Sequence, residues 1–279
     1  MRSRSPHTVL SGFGLSLGIT LTWLSLIVLI PLSAVFIKSA QIDLPELINI
    51  LSSERIQRSL WLSFSTALFA AAINVFFGLL LAWSLVRYNF WGKRLVDALI
   101  DLPFALPTAV AGIALASLYA PSGWIGQWFA PLGLDIAYTK IGIVIALIFI
   151  GIPFVVRTVQ PVLVDLETEL EEAAASLGAS RWQTISRVIF PVLLPALLTG
   201  FALAFARGVG EYGSVIFIAG NRPFETEIAP LLIISRLEEY DYAGATVIAV
   251  IMLLVSFILL LLINLLQSWS NRRAGRLAQ

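Results

Sequence analysis

Six long stretches of this sequence carry almost no charge, and they restrict the chain to one kind of fold. They cover residues 10–37, 59–86, 98–119, 141–157, 188–219 and 243–269. A helix needs about 20 apolar residues to cross a bilayer. There, every backbone N–H must be satisfied within the protein, which leaves only helices and closed barrels. Unbroken apolar runs of this length favour helices. The fourth run is short but suffices with its flanks, and the fifth is interrupted by Arg207 and Glu211. The expected fold is therefore an all-α integral membrane protein of six transmembrane helices, a single domain spanning 1–279. Composition agrees: 13% of residues are charged, against about a quarter in soluble domains. The first run is too long for a signal-peptide core and lacks a small-residue cleavage site. Pro31 is expected to bend or end its helix.

Several chemistries are excluded at once. The chain has no cysteine and a single histidine, His7, so disulfides, thiolate zinc sites and histidine-based catalysis are ruled out or nearly so. A net charge of +1 and the lack of any long basic run give no reason to expect nucleic acid. No G-x-x-x-x-G-K-[ST] phosphate loop occurs. No enzymatic role, metal or cofactor is expected of this chain, and any nucleotide energy must come from another one.

Between the fourth and fifth runs lies a polar island, residues 158–191, whose core reads DLETELEEAAASLGASRWQTISRVIFP from Asp165 to Pro191. It reads as two short helices with a sharp break. Acidic residues from Asp165 to Glu172 load the first turns, where the helix dipole favours them, and Ala173–Ala175 are strong helix formers. Gly178 stands where a helix wants a left-handed C-terminal residue. Ser180 and Gln183 have the S-x-x-Q spacing of a capping box, and Pro191 marks re-entry into apolar sequence. Basic residues orient the chain. With the N-terminus inside, eleven Lys and Arg fall on the cytoplasmic side, among them Arg2, Arg4, Arg87, Arg157 and Arg272, and six on the external side. This places both termini and the polar island in the cytoplasm.

The island resembles the EAA loop of bacterial ABC importer permeases, the binding-protein-dependent importer family: Glu172-Ala173-Ala174, then Gly178, then Val188-Ile189-Phe190-Pro191 in place of the usual I-x-L-P ending. Three further segments are similar to the sulfate/thiosulfate permeases of T type: Asp101–Gly112 (DLPFALPTAVAG), Phe154–Val162 and Arg207–Asn221. The likeness covers nearly the whole chain. It implies a cytoplasmic coupling helix docked on an ATPase, with Glu171, Glu172, Ala173, Ala174, Gly178 and Pro191 as the coupling residues. It also implies a second permease of W type, two copies of the ATPase that bind ATP, a periplasmic sulfate-binding protein, and residence in the bacterial inner membrane. The mechanism it implies is alternating access. Molybdate or tungstate permeases share the loop and the R-x-x-G-E pattern, and the D-L-P-F-A-L-P-T run favours sulfate.

Inside the membrane, Pro103 and Pro107 fall four apart in the third run. They mark either a static kink or a flexible pore-lining helix. Arg207 and Glu211 share a helix face. A bilayer charge costs about 2.5–3.5 kcal/mol on insertion scales, so the pair must face protein or water. It is either a packing salt bridge or, as favoured here, part of the translocation path beside Gly208, Gly210 and Gly213. Asp97 and Asp101 are expected to be a helix cap and an interfacial carboxylate. Residues 225–241 carry an apolar stripe, fitting a helix under a docked binding protein or one that covers the bundle.

Two other classes of function compete. An ion-gradient transporter usually places carboxylates mid-membrane, and only Glu211 qualifies. An intramembrane hydrolase built on Ser214 would need a base, and His7 lies at the wrong end of the chain.

Overall fold

The computed structural model describes residues 12–277, with side chains to Gln267. Arg2, Arg4, His7 and the first two residues of run one lie outside the described residues, as do the side chains of Arg272, Arg273 and Arg276. No strand occurs among the described residues. Five helices are long and apolar enough to cross a membrane: α1 (Phe13–Ala40), α3 (Glu54–Arg87), α8 (Lys140–Asp165), α10 (Arg181–Val209) and α13, of which Tyr242–Gln267 qualifies within Tyr242–Leu277. Shorter helices join them: α2 (Leu44–Ser52), α4 (Lys93–Ile100), α5 (Leu102–Ala105), α6 (Thr108–Tyr119), α7 (Gly126–Phe129), α9 (Thr168–Ser176), α11 (Val215–Ala219) and α12 (Ala229–Glu238).

The core is the bundle of α3, α8 and α10. Small residues let their backbones approach, as in membrane helix packing generally. A Cβ on Gly78 of α3 would lie 2.7 Å from the Val155 side chain, and one on Gly200 of α10 would lie 2.9 Å from Val155 Cα. Ala67, Ala70 and Ala71 of α3 and Ala146 of α8 are buried in the same core. Asn74 is buried opposite Gly151, and neither its amide nitrogen nor its oxygen has a partner among the described residues. By contrast, α1 buries none of its described residues; its second half lies along α13.

Several expectations about the helices need correction. Pro31 does not end α1. A π-turn at Ser25–Leu29 precedes it and the helix continues to Ala40. The wider turn absorbs the proline without breaking the helix. The third run is not one helix: α4, α5 and α6 are separated at Asp101 and at Leu106–Pro107. Leu106 is extended (φ −84°, ψ 136°) because a residue before proline is disfavoured from the helical region. Pro103 and Pro107 therefore belong to different elements, Pro103 in the first turn of α5 and Pro107 capping α6. The fourth run's helix continues to Asp165, eight residues beyond 157, into the expected loop. The fifth run's helix starts at Arg181 and ends at Val209, and a non-helical stretch then leads to α11.

The segment expected as an external amphipathic helix forms α12, which packs on α3 and α13. Its Leu232 is buried with Ile56 and Ile248 and its Leu231 in the main core, whereas Ile234 and Leu237 are exposed.

Candidate functional site

The polar island folds into an elbow. Helix α9 ends in a Schellman arrangement: Ala179 N–H donates to Ala174 O (3.0 Å) and Gly178 N–H to Ala175 O (2.9 Å). That geometry requires a left-handed residue, and Gly178 has φ +78°. Ser180 opens the next helix with a reciprocal capping box, accepting from Gln183 N–H (3.3 Å) while its own N–H donates to Gln183 Oε1 (2.8 Å). The second element is not a separate short helix. It is the first turn of α10, which contains a π-turn at Ile185–Ile189, and Pro191 sits inside the continuous helix.

The two adjacent glutamates point different ways. Glu171 turns back to the bundle and pairs with Arg87, whose guanidinium lies 5.5 Å from the centre of the Trp83 ring. Glu172 and Ala173 are exposed, and Ala174 is buried. Leu177 is 89% exposed and Trp182 74% exposed, an apolar pair beside the acidic face, suited to a partner surface. Of the six expected coupling residues, Glu171 is thus an anchor within the chain, while Glu172, Ala173 and Gly178 lie on the open side.

The helix breaks on the fifth and third runs meet. A Cβ on Gly213 would strike the Thr108 side chain, and one on Gly112 would strike the Ser214 backbone, so α6 and the 210–214 stretch cross in direct contact. Arg207 and Glu211 do pair, but Glu211 lies beyond the end of α10 and not on its face. Its side chain is 1% exposed and that of Arg207 is 35% exposed. One Glu211 oxygen takes the Arg207 ion pair; the other accepts from Ser214 N–H (2.9 Å) and Ser214 Oγ (3.0 Å). Glu211 thereby satisfies the free N–H at the start of α11. Gly210 caps α10 and a Cβ there meets only Ala206 O at 3.9 Å. Of the ion pair, Arg207 is the partly open member.

Asp101 stands at the N-cap position of α5 but makes no side-chain cap bond, and Asp97 lies inside α4. Both bind Arg157 of α8: Asp101 through Oδ1 to Nε (2.8 Å) and Oδ2 to Nη2 (2.6 Å), Asp97 through Oδ1 to Nη1 (2.7 Å). Sequence reading missed this cluster and the far-end pair of Arg55 with Glu227, in which Glu227 is 2% exposed and bonded at 2.7 and 2.8 Å. The available signal was an arginine directly behind an apolar run, a position that demands a partner.

This architecture is that of a membrane-embedded transport component. Residues 74–276 match the family model for binding-protein-dependent transport system inner membrane components, and the chain belongs to that family. Within it, the chain is 52% identical over 257 residues to the sulfate transport system permease protein CysT of Synechocystis sp., covering 92% of this chain and 90% of the relative. It is 49% identical over 269 residues to CysT of Escherichia coli K12, covering 96% and 97%. Its fold is similar to a chain of a bacterial alginate ABC transporter crystallised with an alginate-bound periplasmic protein, with a TM-score of 0.72 at 19% identity, covering 89% of this chain and 91% of the other.

Proposed function

We propose that this chain is a channel-forming subunit of an ATP-driven importer for sulfate, and for thiosulfate with it. It is a permease and not an enzyme. The observation that carries the reading is near-half identity to sulfate permeases over almost the full length, joined to an elbow whose exposed side presents Glu172, Leu177 and Trp182. The same relatives favour sulfate over molybdate or tungstate.

The chain crosses the bacterial inner membrane six times, the broken α4–α6 segment supplying the third crossing, with both termini and the elbow in the cytoplasm. It pairs with a second permease of W type. Two ATPase copies bind the nucleotide, and a periplasmic sulfate-binding protein delivers the anion. The ATPase grips the elbow through Glu172, Ala173 and the turn at Gly178, with Pro191 exposed further along α10, while Ala174 and Glu171 hold that turn to the bundle. Closure of the ATPase dimer swings the elbow, the two permeases rock, and the cavity faces outward; hydrolysis returns it. Arg207, Gly210, Pro103 and Pro107 stand by the path. Glu211 steadies Arg207, so that a positive charge guides the anion without a free carboxylate opposing it.

Glu172→Lys or Gly178→Val should abolish uptake of radiolabelled sulfate by cells while immunoblots find the subunit in the membrane at its usual level. Normal uptake by both variants refutes the coupling role of the elbow.

A further inference from the structure

The Arg157 cluster has a placement that neither the family nor the elbow explains. All five N–H groups of this guanidinium, its full complement, are engaged. Besides the carboxylate bonds, Nη1 donates to Gln160 Oε1 (2.6 Å) and Nη2 to the Asp97 carbonyl (3.0 Å). The carboxylates lie 56 and 60 residues away in sequence, Asp97 inside α4 and Asp101 at the break between α4 and α5. The side chains of all three residues are between 31% and 49% exposed. The cluster is a joint at the bundle's side, and not a buried packing device.

Its two ends lead to different machinery. On α8, Arg157 stands eight residues before Asp165, about 12 Å at 1.5 Å per residue, and three residues after Asp165 the elbow helix α9 begins. On the other side, Asp101 opens the broken third segment, which passes through α5 and the extended Leu106 to α6. That helix crosses the 210–214 stretch at Thr108–Gly213 and Gly112–Ser214. Ser214 in turn is held by Glu211, the partner of Arg207. Elbow, α8, Arg157, broken third segment and 210–214 stretch form one connected series. Its only polar link between the end of α8 and the broken segment is this clamp, among the described hydrogen bonds and ion pairs. A helix broken twice does not transmit force along its own axis. Fastening it at the first break makes the short pieces follow α8.

We propose that Arg157, clamped by Asp97 and Asp101, is the positioning residue that carries the elbow's movement to the crossing of the two broken segments, where the channel opens. This rests on the coupling reading above. A bidentate guanidinium fixes direction as well as distance, which a lysine ammonium does not. A physical connection is a warrant for coupling only when breaking it changes the coupled quantity, which here is sulfate moved per ATP.

The complete transporter, with its partner permease, ATPase and binding protein, is reconstituted in proteoliposomes. Sulfate taken up and ATP hydrolysed are measured together for wild type, Arg157→Gln, Arg157→Lys and the swap Arg157→Asp with Asp101→Arg. Arg157→Gln should assemble and hydrolyse ATP, yet import at least ten-fold less sulfate per ATP. Arg157→Lys should fall between it and wild type, and the swap should recover part of the ratio. If Arg157→Gln keeps the wild-type ratio, with uptake and hydrolysis falling only in proportion to assembled complex, the clamp is structural and the proposal is overturned. Should Arg157→Gln not assemble, Asp97→Asn, which removes one of the two carboxylates, is read by the same ratio: a fall supports the clamp and a wild-type value overturns it. Gly178→Val in parallel separates the two ideas. Normal uptake there overturns the elbow reading, whereas lost uptake beside an unchanged Arg157→Gln ratio overturns the clamp alone.

Discussion

Glu211 is almost wholly buried, and each of its oxygens has its own task, one closing the ion pair with Arg207 and one capping the stretch that leads into α11. Removing Glu211 leaves the buried Ser214 N–H and Oγ without their acceptor, a loss of about 1–3 kcal/mol, while Arg207, 35% exposed, is left to solvent. Glu211→Ala should therefore lower the thermal unfolding midpoint of the purified complex markedly. Glu211→Gln, which keeps an acceptor for Ser214, should lower it less. Equal loss in the two variants would assign the whole effect to the ion pair. This pair was legible from sequence because four-residue spacing is local. What the spacing concealed was that Glu211 sits past the helix end, since Gly210 permits the exit and Ser214 rewards it. The grip of Arg157 on Asp97 and Asp101 spans 56 to 60 residues, and no periodicity encodes a contact made only after α4 folds against α8.

At the scale of elements, prolines divide into those the backbone accommodates and those it does not. Pro31 and Pro191 each follow a π-turn and leave their helices continuous. Pro107 follows an extended Leu106 and separates α5 from α6. In the sequence, Pro31, Pro103 and Pro107 all carry the same meaning, a bend or a break. The two outcomes look alike there because the choice depends on whether neighbouring helices leave room for a wider turn. The elbow was far more legible. Its caps are short-range chemistry in which each residue type has one geometric use, and Gly178, Ser180 and Gln183 occupy those positions. Glycines divide in a similar way. Gly200→Val would push against Val155 of α8, and overpacking of this kind costs about 1–3 kcal/mol. Gly210→Ala meets nothing closer than 3.9 Å. The first variant should lower the midpoint of the purified complex and the second should leave it in place. A reversed order would show that α10 packs against α8 differently.

For the molecule as a whole, the polypeptide's lack of cysteine makes its sidedness directly measurable. Leu177 and Trp124 are 89% and 83% exposed, and the proposed orientation puts them on opposite sides of the membrane. With the permeases expressed without their ATPase, Leu177→Cys should react with a membrane-impermeant maleimide only in inverted vesicles, and Trp124→Cys only in intact spheroplasts. The opposite pattern would invert the topology and with it the elbow's access to an ATPase. Run lengths were sufficient to read an all-helical membrane chain, since solvation by lipid acts on every residue of a span. They were insufficient to read the broken α4–α6 segment or the far-end fold around Glu227, which arise from side chains meeting across the bundle.

Val155 touches glycines on both neighbouring helices, so α3, α8 and α10 meet along a seam with no slack for sliding. At this level the three helices form one trunk. In the proposed alternating-access cycle the movement falls where the wood is already split, at Asp101, at Leu106–Pro107 and along 210–214.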